Sequence, residues 1–201
     1  GGLFSWVFAP WVLALLTVPA PLEILRAAPL SALRWSYFFG LLWGVGGLSF
    51  GLSMRYLGMS LGYAVALGFC AAFGTIVPPL FEGQGGELVG SASGLVTLAG
   101  VATCLAGIAV CGQAGIRKER ELSAADKQAA VKEFSLVKGM WVAFFAGVMS
   151  ACMAFAIKAG KPIAELAVAR GAPSLFQNTP VFIVILAGCF TANLIWCLFL
   201  N

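Results

Sequence analysis

Apolar residues run through this chain in long uninterrupted stretches, and the polar positions gather in the connections between them. A helix needs about 20 mostly apolar residues to cross a bilayer. Six segments meet or approach that length: Leu3 to Val18, Ser36 to Met54, Met59 to Leu80, Gly94 to Gly112, Gly139 to Ile157 and Leu175 to Leu200. A closed β-barrel would instead show short strands of alternating apolar and polar residues, and these runs do not alternate. The pattern predicts an all-α membrane protein, a polytopic helical bundle with about six transmembrane helices.

The connections differ in character. Residues 19–36 carry three prolines and are expected to be partly helical on the membrane surface. Residues 54–60 (MRYLGMS) form a very short turn, and residues 82–93 hold two acids and no base. Residues 116–139 are the long charged connection, where Ser123 and Asp126 fit a capping box ahead of a short soluble helix. Residues 158–173 link the last two segments, with the fifth helix expected to stop at Pro162.

Composition sharpens this picture. Hydrophobic residues make up 61% of the chain and charged residues 10%, well below the ~25% usual for soluble domains. The net charge of +4 sits in the connections and forms no stripe, so nothing points to a nucleic-acid partner. There is no histidine, the six cysteines form no C-x-x-C pair, and no Asp or Glu lies inside a span. No metal site or cofactor is therefore expected, and a membrane-embedded enzyme lacks its acid–base or metal groups. No basic region precedes the first apolar run, so it does not read as a signal peptide. The chain starts with glycine and both ends lie against apolar segments, the expectation for a piece of a longer protein.

Lysine and arginine set the orientation. Six spans put Arg55, Arg117, Lys118, Arg120, Lys127, Lys132 and Lys138 on one side, and Arg26, Arg34, Lys158, Lys161 and Arg170 on the other. The richer side is expected to be cytoplasmic, which turns the acidic 82–93 connection outward.

Small residues recur at helical spacing. Gly40, Gly44, Gly47 and Gly51 share one side of the second helix, Gly100, Cys104, Gly107 and Cys111 one side of the fourth, and Ala143, Gly147, Ser150 and Ala154 one side of the fifth. Such faces let membrane helices approach closely, so they predict helix packing. Gly51, Arg55, Gly58 and Gly62 would share a face if the second helix continued one more turn. Arg55 either anchors that helix to headgroups or, beside Tyr56, lines a cytoplasmic gate. Lys158 and Lys161 extend the small face of the fifth helix, as interface anchors or as charges at a cavity mouth, and Glu165 would pair with Lys161 if that segment is helical. Among polar groups within or beside spans, Asn193 is expected to face the bundle interior, bonding a neighbouring helix or a substrate, with Asn178 at the start of the sixth helix. Trp43 and Tyr63 offer aromatic faces on which a sugar could stack, although aromatic belts account for most membrane Trp and Tyr.

The run WGVGGLSFGLSMRYLGMSLG (43–62), supported by GIRKERE and KEFSLVKG in the central connection and by SACMAFAIKAGKP (150–162), resembles the L-rhamnose–proton symporter family of the drug/metabolite transporter superfamily. The resemblance implies a multi-pass carrier of the bacterial inner membrane, with about ten helices in two inverted five-helix repeats. This chain would supply the second to seventh: residues 1–115 from the first repeat, a cytoplasmic loop at 116–138, and residues 139–201 opening the second repeat. It implies proton-driven uptake of a sugar such as L-rhamnose by alternating access, with the sugar, protons and the bilayer as partners. The alternative left open is a carrier of another small metabolite, an amino-acid or drug exporter.

Overall fold

The computed structural model describes residues 2–121 and 135–200, and among them it is helical throughout, with no strand. A π-helical turn, Phe4–Phe8, leads into α1 (Ala9–Thr17), followed by α2 (Pro21–Ala27), α3 (Leu30–Leu57), α4 (Met59–Phe81), α5 (Gly85–Gly90), α6 (Ala92–Glu121), α7 (Leu136–Ser150), α8 (Cys152–Ala159), α9 (Lys161–Ala169), a 3-10 turn at Ser174–Phe176 and α10 (Thr179–Leu200). Five helical stretches are long and apolar enough to cross a membrane, or six if the bent pair Phe4–Thr17 and Pro21–Ala27 counts as one span. That pair bends by 102°. The bend has a local cause: Val18 is extended ahead of Pro19, which disfavours helix in the residue before it, and Ala20 takes a left-handed φ of 45°.

The chain packs as two compact units, Gly1–Val45 with Cys152–Asn201, and Gly46–Ala151. Helix α3 contributes its first part to one and its remainder to the other. In the first unit, α2, the first part of α3, α8, α9 and α10 enclose a core around Ile24, Ile163, Val181 and Ile185, and α1 packs along α10. Much of that core is alanine (Ala28, Ala32, Ala156, Ala164, Ala167), so the helices lie close together. In the second unit α4 packs on both α6 and α7 around Leu57, Val65, Ala66, Ile108 and Ala143.

Several sequence expectations change here. Pro162 does not end the fifth helix at a loop. It sits in the first turn of α9, where a missing N–H costs nothing, and α8 has already stopped at Ala159. The acidic 82–93 connection holds a short helix, α5, and α6 runs on to Glu121 into the stretch read as loop. The capping box at Ser123 and Asp126 lies outside the described residues. Helix α3 does not continue past Leu57: Gly58, at φ 80° and ψ 164°, turns the chain, so Gly58 and Gly62 do not extend the face of Gly51 and Arg55.

Candidate functional site

The seam between α3 and α10 in the first unit is built by glycine. A Cβ on Gly40 would run into the backbone of Ile185, one on Gly188 into the Tyr37 carbonyl and the Leu41 amide, and one on Gly44 would lie 2.9 Å from Cys189 Cα. With the backbones this close, the Tyr37 hydroxyl donates to Thr191 Oγ1 at 2.7 Å, and the Thr191 hydroxyl donates to the Ala187 carbonyl at 2.9 Å. One helical turn before the Gly40 contact, buried Ser36 donates to the Ala156 carbonyl of α8 at 3.0 Å. Absent side chains again make room, because a Cβ on Gly160 would meet Val181 and the Ser36 hydroxyl. The seam carries hydroxyls and carbonyls but no ionisable carboxylate, so it can exchange hydrogen bonds with a neutral polar ligand or another helix.

Asn193 is half-buried on α10, but its amide donates to the Cys189 carbonyl of its own helix at 2.9 Å rather than to a neighbouring helix. A turn of helix offers that acceptor four residues back, which satisfies the donor without any partner helix. Asn178 precedes α10, and its carbonyl accepts from the Phe182 amide at 3.0 Å. Trp43 is half-buried on α3. Lys158 is exposed at the end of α8, and Lys161 pairs with Glu165 at 3.9 Å along α9. Both partners of that pair are exposed, so it contributes at most ~1 kcal/mol.

The second unit holds the other candidates. Arg55 is exposed in the last turn of α3. The Tyr56 carbonyl accepts from the Ser135 amide at 3.0 Å, while a Cβ on Gly139 would collide with Leu57. Tyr63 stands edge-on to Phe50 with ring centroids 5.5 Å apart. Gly62 lies close under Met54 and Gly147 close under Phe69. Ser150 on α7 donates across to the Cys70 carbonyl at 3.1 Å and back to the Gly147 carbonyl at 2.6 Å, tying α7 to α4.

Not every small-residue face meets a neighbour. Nothing among the described residues lies within 4 Å of where a Cβ would stand on Gly47, Gly51, Gly100 or Gly107. On α6 the buried apolar positions are instead Val101 and Ile108, about 100° around the helix from the Gly100–Gly107 face. The candidates thus fall into separate groups within each unit. Sequence reasoning missed Gly188, Gly139, Gly160 and Ser36. Gly188 stands four residues before Ala192, a small-residue spacing that could have flagged it.

A further feature of the second unit is a polar cavity of about 300 Å3 where α4, α5 and α6 meet, bordered by Thr75, Gln84, Glu87, Ser91 and Thr97. No group of three or more His, Cys, Asp or Glu able to hold a metal ion occurs among the described residues.

Residues 1–200 match the family model described as L-rhamnose-proton symport protein (RhaT). An L-rhamnose-proton symporter of Cronobacter sakazakii is 40% identical over 197 residues, covering 98% of this chain and 56% of its own. L-rhamnose-proton symporters of Yersinia pestis and Yersinia pseudotuberculosis are 37% identical over the same coverage. The chain therefore spans about half the length of these curated relatives. No solved structure matches it. With apolar helices of spanning length, glycine-lined seams and a family match running from the first residue to the two-hundredth, the chain belongs to the L-rhamnose-proton symport protein family.

Proposed function

We propose that this chain forms part of a proton-coupled sugar symporter of the bacterial inner membrane, carrying L-rhamnose or a close relative by alternating access. The observation that carries this reading is the 40% identity, across 98% of the chain, to an L-rhamnose-proton symporter. The physical features agree with it. Closely packed small-residue helices suit a bundle whose parts move against one another. The hydroxyl pair Tyr37–Thr191 and the amides of Asn178 and Asn193 are neutral groups of the kind that recognise a sugar. In this reading residues 1–115 belong to the first repeat, 116–138 to a cytoplasmic loop and 139–201 to the second repeat. Arg55, Tyr56 and Tyr63 then stand near a cytoplasmic gate, with Trp43 in the sugar path and Lys158, Lys161 and Glu165 at the opposite mouth.

The test is uptake of labelled L-rhamnose by cells expressing the full gene, with and without a protonophore. Accumulation that collapses to equilibration when the gradient is discharged is the expected result. Absence of uptake of any deoxysugar would overturn the substrate, and accumulation indifferent to the protonophore would overturn the coupling.

Arg55 separates a gate from an anchor. A lysine can reach headgroups as well as an arginine, but it cannot replace a forked, planar contact. Arg55→Lys is expected to reach the membrane in normal amount and to lose about tenfold in kcat, equivalent to ~1.4 kcal/mol, with KM little changed. Initial uptake rates at saturating L-rhamnose, normalised to transporter in the membrane, check this. Wild-type turnover would reduce Arg55 to an anchor.

A further inference from the structure

The end of α4 is folded over by the short helix that follows it. Pro78 and Pro79 lie inside the end of α4, which runs on to Phe81. Gly83 turns the chain at φ 74°, and α5 then crosses the first turn of α6. The closeness of that crossing depends on Gly94, where a Cβ would run into the carbonyls of Leu88 and Glu87. The Ser91 hydroxyl accepts from the Gly94 amide at 3.0 Å and fixes the start of α6. This arrangement brings Gln84, Glu87 and Ser91 over Thr75 and Thr97 around the cavity of about 300 Å3.

We propose that this cavity is a loading site for a neutral monosaccharide on the outer side of the membrane, an assignment that rests on the symporter reading. Its volume is at the lower end of the ~300–1,000 Å3 typical of small-molecule pockets, which suits a single sugar ring. Most of its side-chain hydrogen-bonding capacity is unspent. The Thr75 and Ser93 hydroxyls, the Gln84 side-chain amide and the Glu87 carboxylate bond no other side chain or backbone group among the described residues. Thr97 spends its proton on the Ser93 carbonyl at 2.9 Å and keeps its oxygen as an acceptor. Ser91, having accepted from Gly94, keeps its proton to donate.

That inventory selects among ligand classes. No lysine or arginine lines the cavity and a carboxylate does, so phosphates and carboxylates are disfavoured. An apolar ligand would strand five polar side chains and a charge. A metal ion would find one carboxylate and no second acid, thiol or imidazole in the lining. A sugar hydroxyl both donates and accepts, and a carboxylate can accept from two adjacent hydroxyls at once. Pro79 and Leu88 add an apolar edge for the C–H face of a ring. Gln84, Glu87 and Ser91 are exposed, so the site is open to water rather than sealed. The acidic 82–93 connection that forms it is the one the Lys and Arg distribution turns away from the cytoplasm. An open sugar site there holds substrate ahead of the translocation step.

The experiment measures binding of L-rhamnose and of L-mannose, its 6-hydroxy counterpart, to the purified full-length protein, together with uptake by intact cells and by inside-out vesicles. Glu87→Gln removes the charge at constant shape, and Thr97→Val removes an acceptor at constant shape. Glu87→Gln is expected to weaken L-rhamnose binding about tenfold, the scale of a hydrogen bond to a charged group. Thr97→Val is expected to weaken it several-fold. In intact cells KM should rise in parallel with kcat unchanged, while KM in inside-out vesicles stays at the wild-type value. Wild-type binding in both variants, with the wild-type protein binding and transporting L-rhamnose, would overturn the loading site and leave the symporter reading standing. Wild-type protein that binds neither sugar would overturn both.

Discussion

Gly44→Leu is expected to remove most of the folded protein from detergent extracts, while Gly47→Leu, three residues along the same helix, is expected to leave yield and thermal stability near wild type. At Gly44 even a methyl group would stand 2.9 Å from both the Cα and the carbonyl oxygen of Cys189 and 3.0 Å from the Ala192 Cβ. Ordinary carbon contacts begin about half an ångström further out. The atoms in the way are mainly backbone and a methyl with no rotamer to swing aside, so α3 and α10 must separate. Overpacking a core costs ~1–3 kcal/mol when side chains can adjust, and this site offers little adjustment. Separation would also pull Tyr37 from Thr191, one seam away along the same pair of helices. At Gly47 no atom among the described residues lies within 4 Å of the new Cβ, and leucine is the better helix former. Size-exclusion profiles and melting curves of the two variants compare them directly. Equal behaviour would mean that close approach at Gly44 does not hold the helices together.

Gly58→Val is expected to destabilise the protein by ~1–3 kcal/mol or more through the backbone alone, because a φ of 80° with a ψ of 164° is a conformation that only glycine adopts without strain. The residue is also the hinge of a packed corner. Its amide donates to the Met54 carbonyl at 2.9 Å and its carbonyl accepts from Gly62 at 2.8 Å, so the end of α3 and the start of α4 are bonded through it. Immediately beyond, Gly62 lies under Met54, and Leu57, 3% exposed, is held against Gly139. Relaxing the strain by straightening the turn would undo those contacts. A lowered melting temperature, with loss of transport in proportion to loss of folded protein, is the expected signature. A wild-type melting temperature would show that the chain can turn there by another route.

The two substitutions mark different depths of legibility. Glycine in the short MRYLGMS turn is visible in the sequence, but its left-handed conformation is not, and the shared face of Gly51, Arg55, Gly58 and Gly62 hung on the condition that the helix continue one more turn. The stop at Gly58 decides that Arg55 belongs to a helix end and not to a continuous glycine face. Asn193 shows the same limit. Its cost in an apolar helix is plain from the residue, yet whether a neighbour or its own helix satisfies it depends on a rotamer and on how near the neighbour stands. The cavity at α4–α6 was out of reach for another reason. Gln84, Glu87 and Ser91 are ordinary polar residues of a connection until a six-residue helix, formed by a glycine-rich stretch of poor helix propensity, folds them back over Thr75 and Thr97.

By itself the sequence determined that this is an all-helical membrane chain, roughly where its spans begin and end, and its family. Those follow from the requirement that every backbone polar group in lipid be bonded within its own helix, which makes a long apolar run unambiguous, and from an ordered series of motifs. The tertiary structure alone decided which small-residue faces are contacts. Gly40 and Gly44 meet α10 while Gly47 and Gly51, on the same stripe, meet nothing within 4 Å among the described residues, and α6 buries Val101 and Ile108 in place of its Gly100–Gly107 face. In water, an apolar face announces that it is buried. In a bilayer, lipid tails are as comfortable a neighbour as leucine, so a glycine stripe permits close approach without naming the helix that will make it.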